Sequence, residues 1–177
     1  MRSSLFSESD RTVTGQRVQD GHQGVTVRDA MRSPASARIA IWLLFAAAAS
    51  IGLVAALAPH TFYDDFPFLA HWVDRLPPYN EHLVTDVGGL YVGFAILFAW
   101  AALSLQPTLV RAAATAWMVT EALHLAFHAS HLEHFDTTDA IGQILSLALL
   151  LLPAAAAIWA TGPVAPAAAP PPDPPRP

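Results

Sequence analysis

The sequence predicts an all-α fold, a four-transmembrane-helix bundle with both termini in the cytoplasm. Of its 177 residues, 54% are hydrophobic and only 13% are charged, a composition typical of an integral membrane protein. Four apolar segments are long enough to cross a bilayer, and arginine is concentrated on one side of them. The sequence has no basic face with interleaved aromatic residues, so nucleic acid is not an expected partner. The expected partner is the lipid bilayer.

The membrane domain is predicted to cover residues 37–161, between two disordered tails. Residues 1–36 are polar and lack a hydrophobic period, whereas residues 162–177 are almost entirely Pro and Ala. Neither tail can bury enough apolar surface to fold. Met31 lies shortly before the first apolar segment, so either Met1 or Met31 is compatible with the true start. The predicted spans are Ala40–Leu57, Glu81 to about Leu105, Leu109–Ala129 and Ala140–Ala160.

The orientation of the bundle is predicted from its arginines. Arg38 precedes the first span and Arg111 follows the second connection, whereas the first and third connections are acidic and contain Arg75 as their only basic residue. The positive-inside rule then places the first and third connections outside the cell. Within the first connection, residues 68–76 (FLAHWVDRL) suit a short amphipathic helix in the membrane interface, acting either as an anchor or as a lid over a site.

The sequence also contains local signals for the ends of the helices and for the contacts between them. Asn80 and Thr108 are candidate N-caps for the second and third spans, and Asp136 or Thr137 can cap the fourth. Small residues allow helices to approach closely. The candidates for such contacts are Gly52 in the first span and the pair Gly89 and Gly93 in the second.

The most informative stretch is residues 117–134, WMVTEALHLAFHASHLEH. Glu121, His124, His128 and His131 are spaced by three, four and three residues, which places them on one stripe of an α-helix. Ionisable groups within a membrane span are costly, so such a stripe indicates a functional site.

Polar residues of two other spans are expected at the same depth. With a rise of about 1.5 Å per residue, His82 and Asp86 of the second span lie in the outer leaflet, as do the histidines of the third. Tyr91 is predicted near the level of Glu121. Two residues of the fourth span, Gln143 and Ser146, reach that level as well.

Three interpretations of this cluster stay open. Because the chain has no cysteine, a transition metal or haem would need His and carboxylate ligands, as in an oxidoreductase-like protein. The alternatives are a proton-coupled or small-ligand-binding pocket, and a buried hydrogen-bond network in a structural subunit, either of a homo-oligomer or of a larger membrane complex. The candidate metal ligands are His82, Asp86, Glu121, His124, His128 and His131.

Several motifs carry a resemblance to a known family. FYDDFP, HWV, LPPYNEHLVTDVGGLY, HLAFHASHL and DTTDAIGQ resemble a family of small four-helix membrane proteins from actinobacteria, similar in layout to DoxX-like proteins. The resemblance covers roughly residues 38–161. The family has no assigned activity, so the resemblance implies the topology and a bacterial plasma membrane location, and it assigns no role to any residue.

Overall fold

The computed structural model describes residues 33–67, 70–76 and 78–162, and these contain α-helices, one 3₁₀ turn and no β-strand. The predicted tails lie outside the described residues, except that Ser33 to Ser36 begin the first helix. The helices are α1 (Pro34–Leu57), α2 (Pro59–Asp65), α3 (Glu81–Ser104), α4 (Pro107–Ala129) and α5 (Thr137–Thr161). The 3₁₀ turn is Leu132–His134.

Side-chain caps explain where these helices begin. The Asn80 side chain accepts a hydrogen bond from the Leu83 amide at 3.1 Å, and Asp136 accepts from the first-turn amides of α5 at 2.8 and 2.9 Å. Both bonds satisfy amides that lack a partner within the helix. The prediction of Thr108 as the cap of α4 is wrong, because that helix begins earlier, with Pro107 in its first turn.

Contacts between helix ends show that neighbouring long helices are antiparallel. Near the start of α1, the Arg38 guanidinium donates to the Ala102 carbonyl of α3 at 3.2 Å. Near the start of α4, Arg111 donates to the carbonyls of Ile158 and Gly162, at the end of α5, at 2.9 and 2.8 Å. Since helix carbonyls at a C-terminus have no intrahelical partner, each arginine also caps the helix that it contacts.

Glycines allow α1 and α3 to pack backbone against backbone. A Cβ added to Gly52 would lie 2.7 Å from the Val92 amide nitrogen, and one added to Gly88 would lie 2.7 Å from a backbone atom of Ala55. The prediction for Gly52 is confirmed. Gly89 and Gly93 have nothing within 4 Å of an added Cβ, so Gly88, rather than that pair, makes the contact.

An aromatic core lies beneath the polar residues of the bundle. Phe98 and Trp117 are fully buried, with ring centroids 5.5 Å apart, and small alanines of α1, α3, α4 and α5 surround them. The Trp117 indole donates to the Leu150 carbonyl at 3.1 Å, so its polar edge is satisfied within the core.

The outer surfaces of the long helices are apolar. Leu90, Leu103 and Leu152 are among many large hydrophobic residues that point away from the bundle, as expected for helices in contact with lipid. Among the described residues, α1, α3 and α5 are long and apolar enough to cross a membrane. The prediction of four such helices is therefore corrected to three on composition, because Glu121 and the histidines lower the hydropathy of α4.

Candidate functional site

The stripe predicted on α4 is present, and its inner end is buried. Glu121 is fully buried and His128 is 9% exposed, whereas the His124 side chain between them is 40% exposed. The spacing of three and four residues brings the three side chains onto one face of the helix. That face points into the bundle, toward α3 and α5.

These side chains form a continuous polar chain with Tyr91 of α3. The Tyr91 hydroxyl donates to Glu121 Oε1 at 2.6 Å. On the other side of the carboxylate, Oε2 lies 3.5 Å from Nδ1 of His124, and Nε2 of His124 is 2.9 Å from Nε2 of His128. The last contact is a hydrogen bond if one imidazole carries its proton on Nε2 and the other does not. A proton can thus be held at several points along the chain.

The other predicted metal ligands do not join this chain. His82 and Asp86 pair with each other at 3.4 Å on an exposed face of α3, and His131 turns back to the Phe127 carbonyl, 2.8 Å from its Nδ1. No group of three or more His, Asp or Glu side chains in the part of the chain that the structure describes is arranged to hold a metal ion. One metal site shared by all six residues is therefore unsupported.

A cavity of about 470 Å³ adjoins the polar chain. All four long helices contribute to its wall, which is mostly apolar. The polar residues of the wall come from all four long helices. They are Ser50, Tyr91, His124, His128, Gln143 and Ser146.

Several buried polar atoms of the wall lie outside strict hydrogen-bond geometry. They are Nδ1 of His128 and both amide atoms of Gln143, although the Gln143 and His128 side chains are close enough to interact with each other. Oε2 of Glu121, just behind the wall, also lacks a hydrogen bond and has the 3.5 Å contact with His124. Gln143 is only 2% exposed. An unsatisfied buried polar group costs about 1–3 kcal/mol, so these atoms indicate a place where a bound molecule or water completes the hydrogen bonding.

The first connection covers the cavity. Residues 59–67 and 70–76, here called the cover segment, contribute several apolar side chains to the wall, including Phe62, Phe66 and Trp72. The predicted helix over residues 68–76 is wrong, because the helical part is α2, Pro59–Asp65, and residues 70–76 form turns. The side chains of the cover segment line the cavity, and the choice between the two predicted roles, anchor and lid, stays open.

One carboxylate holds the cover segment on the bundle. Asp139, in the first turn of α5, accepts a hydrogen bond from the Trp72 indole at 3.1 Å through Oδ1. Its Oδ2 accepts from the Arg75 guanidinium at 2.8 Å. The sequence analysis used Arg75 only for the orientation of the bundle and did not predict this contact. The opposite charges of Arg75 and Asp139 were the available signal for it.

Comparison with known proteins adds no family. No family model, no curated protein and no solved structure matches this chain. The fold and the site define the class: an all-α protein with helices apolar enough to span a membrane and a mostly apolar cavity between them that several polar side chains line.

Proposed function

We propose that this chain is a four-span protein of a bacterial plasma membrane that binds a small ligand in the cavity between its helices. The observation that carries the proposal is the set of buried polar atoms of Gln143 and His128 that lack good hydrogen-bond geometry in the wall of a mostly apolar cavity of about 470 Å³. Ligand sites are typically concave and mostly apolar, with a few converging polar groups.

The geometry supports α4 as the fourth span. It has 23 residues, about 34 Å at 1.5 Å per residue, and only Leu105 and Gln106 separate it from α3. It therefore returns across the same thickness that α3 crosses. Its buried polar residues face the protein interior, the arrangement in which a membrane span tolerates ionisable groups.

The arginine contacts support cytoplasmic termini. Arg38 and Arg111 lie at the same end of the bundle, near the end of α3 and the end of α5 respectively. The acidic connections, with Asp74 and Glu133, lie at the other end, together with the cover segment. Under the positive-inside rule, the cavity then belongs to the outer half of the membrane.

Cysteine labelling tests this topology cleanly because the chain has no native cysteine. In intact cells an impermeant maleimide should label Asp74→Cys and Glu133→Cys and leave Thr108→Cys unlabelled until the cells are opened. Labelling of Thr108→Cys in intact cells would contradict the proposed orientation.

A ligand accounts for the site better than the metal or the purely structural interpretation does. The described residues offer no three-ligand group for a metal, and a network that serves only to fix helix register should satisfy its own members. Here neither amide atom of Gln143 has good hydrogen-bond geometry, and its interaction with His128 is a loose one. Membership of the actinobacterial four-helix family stays a proposal that is supported by the quoted motifs and by the antiparallel arrangement of the long helices.

Co-purification tests the proposed function. The protein is purified in mild detergent, and small molecules extracted from it are identified by mass spectrometry. Ala47→Phe narrows the cavity that Ala47 lines, while Ala46→Phe makes the same change at an adjacent exposed position. We expect one compound to be retained stoichiometrically by the parent and by Ala46→Phe and to be depleted in Ala47→Phe.

Two results would contradict the proposal. One is equal recovery of every compound from both variants, with Ala47→Phe folded as judged by its unfolding midpoint. The other is stoichiometric iron, copper or zinc, or a Soret band, in the purified parent, which would return the site to the metal or haem interpretation.

A further inference from the structure

We infer that the cavity selects an amphiphile whose head is uncharged and carries both a hydrogen-bond donor and an acceptor, such as a hydroxyl or an amide. This inference rests on the proposed function and names the chemical class of its ligand. It follows from the charges, the unpartnered atoms and the apolar wall of the cavity.

The wall contains no fixed charge to pair with an ionised head. Of the described residues that line the cavity, none is Arg, Asp or Glu, and the chain has no lysine. Glu121 lies behind the wall, where Tyr91 and His124 flank its carboxylate. The lining side chains that can become cationic are His124 and His128, and His124 lies 3.5 Å from the Glu121 carboxylate. An anionic head would need a further cation on His128 beside His124, and a cationic head would have no anion in the wall. Either ion is unfavourable in an apolar setting.

The unpartnered atoms specify a head that both donates and accepts. The Gln143 amide offers a donor nitrogen and an acceptor oxygen, and Nδ1 of His128 is a further hydrogen-bonding atom without good geometry to any neighbour. All three belong to buried side chains. Since Gln143 and His128 also interact with each other, a bound head would complete their hydrogen bonding jointly. A site built to hydrogen-bond a ligand discriminates strongly against an analogue that lacks the group, because the buried protein atoms are then left unpaired.

The rest of the cavity suits an apolar tail. Besides its polar residues, the wall includes Phe62 and Phe66 of the cover segment and Leu147 and Leu150 of α5. Burying alkyl groups against such a surface contributes about 0.8 kcal/mol per methylene. The expected ligand is thus held by its tail and selected by its head.

Three probes that share one alkyl chain and differ in their head group test the inference. 1-Dodecanol is neutral, dodecanoate is anionic and dodecylammonium is cationic at a pH where both ions are charged. The full-length protein in lipid nanodiscs is unfolded thermally with each probe. The parent is compared with Gln143→Leu and with Gln106→Leu, the same change at an exposed residue between α3 and α4.

We expect saturating dodecanol to raise the unfolding midpoint of the parent and of Gln106→Leu. This rise should exceed the rise in Gln143→Leu by about 3 °C or more. Neither ion should produce this difference. Comparison within each probe removes the effect of the probe on the lipid. If Gln143→Leu fails to fold, Gln143→Met provides the second variant.

The outcomes separate this inference from the proposed function. A Gln143-dependent rise with dodecanoate or dodecylammonium as large as that with dodecanol would overturn the neutral head and leave the cavity as a ligand site. No Gln143-dependent rise with any probe would overturn the inference, and the co-purification of a compound that Ala47→Phe depletes would then decide whether the proposed function survives.

Discussion

Two interfaces of the same bundle differ in how closely their residues pack. Between α1 and α3, Gly52 and Gly88 let the backbones meet, so that even a methyl group would collide with backbone atoms. Around Gln143 and His128, the walls instead leave about 470 Å³ unfilled and several buried polar atoms unpaired. Close packing of this kind is the normal state of a protein interior, whereas the second interface departs from it.

Under the proposed function, one interface serves stability and the other serves ligand binding. The α1–α3 contact fixes how α3 is rotated, and that rotation turns Val87 and Tyr91 toward the cavity. The cavity carries unsatisfied groups that cost stability in the unliganded protein. Natural sites often retain such costs because function requires them.

The largest effect is expected from filling the glycine contact. Gly88→Leu places a branched side chain against the backbone of α1, which cannot move aside without separating the helices. We expect a loss of about 3 kcal/mol or more, above the usual cost of overpacking, measured by denaturant unfolding in detergent. Gly89→Leu is the control because its position is open, and it should leave stability nearly unchanged. Equal effects of the two variants would remove the distinction between the interfaces.

Glu121 should give the next largest effect. Glu121→Ala removes the acceptor of the Tyr91 hydroxyl and leaves that buried group unsatisfied, so we expect a loss of about 1–3 kcal/mol in unfolding free energy. Glu121→Gln retains a carbonyl oxygen that can accept from Tyr91 and should be nearly silent in the same measurement. An Ala variant as stable as the parent would show that the polar chain contributes nothing to folding.

Releasing the cover segment should change the access of reagents to the cavity more than it changes the free energy of unfolding. Asp139→Ala removes the bonds to Trp72 and Arg75, but this partly exposed ion pair is worth no more than about 1 kcal/mol. In a Val87→Cys background, whose thiol would lie in the cavity wall, a water-soluble maleimide should react several-fold faster after the Asp139 change. Glu133→Ala, at an exposed carboxylate that contacts only His134 among the described ion pairs, is the control. Unchanged labelling rates would mean that Asp139 does not control access.

Much of the fold was predictable because it depends on local sequence. The polar stripe of α4 follows from helix periodicity, the caps at Asn80 and Asp136 from their side chains, and the shared level of Tyr91 and Glu121 from helix rise. The close approach at Gly52 was also predicted correctly.

The error at His82 and Asp86 has its physical cause in the rotation of α3. His82 and Asp86 share a stripe, but α3 is turned so that this stripe is exposed and the next residue, Val87, lines the cavity. One residue corresponds to about 100° around a helix, and the α1–α3 contact that sets the rotation is not local in sequence. For the same reason the cavity and the Asp139 contact with the cover segment were not predicted.

The most direct test of the account is the stability of ligand-free Gln143→Leu. If Gln143 is kept for a ligand, replacing its unpartnered amide with an apolar side chain of similar size should raise the unfolding free energy of delipidated, ligand-free protein by about 1–2 kcal/mol. Gln106→Leu should not change it. A Gln143→Leu variant that is less stable than the parent under these conditions would show that the amide is already satisfied within the fold. That result would contradict a ligand site at Gln143.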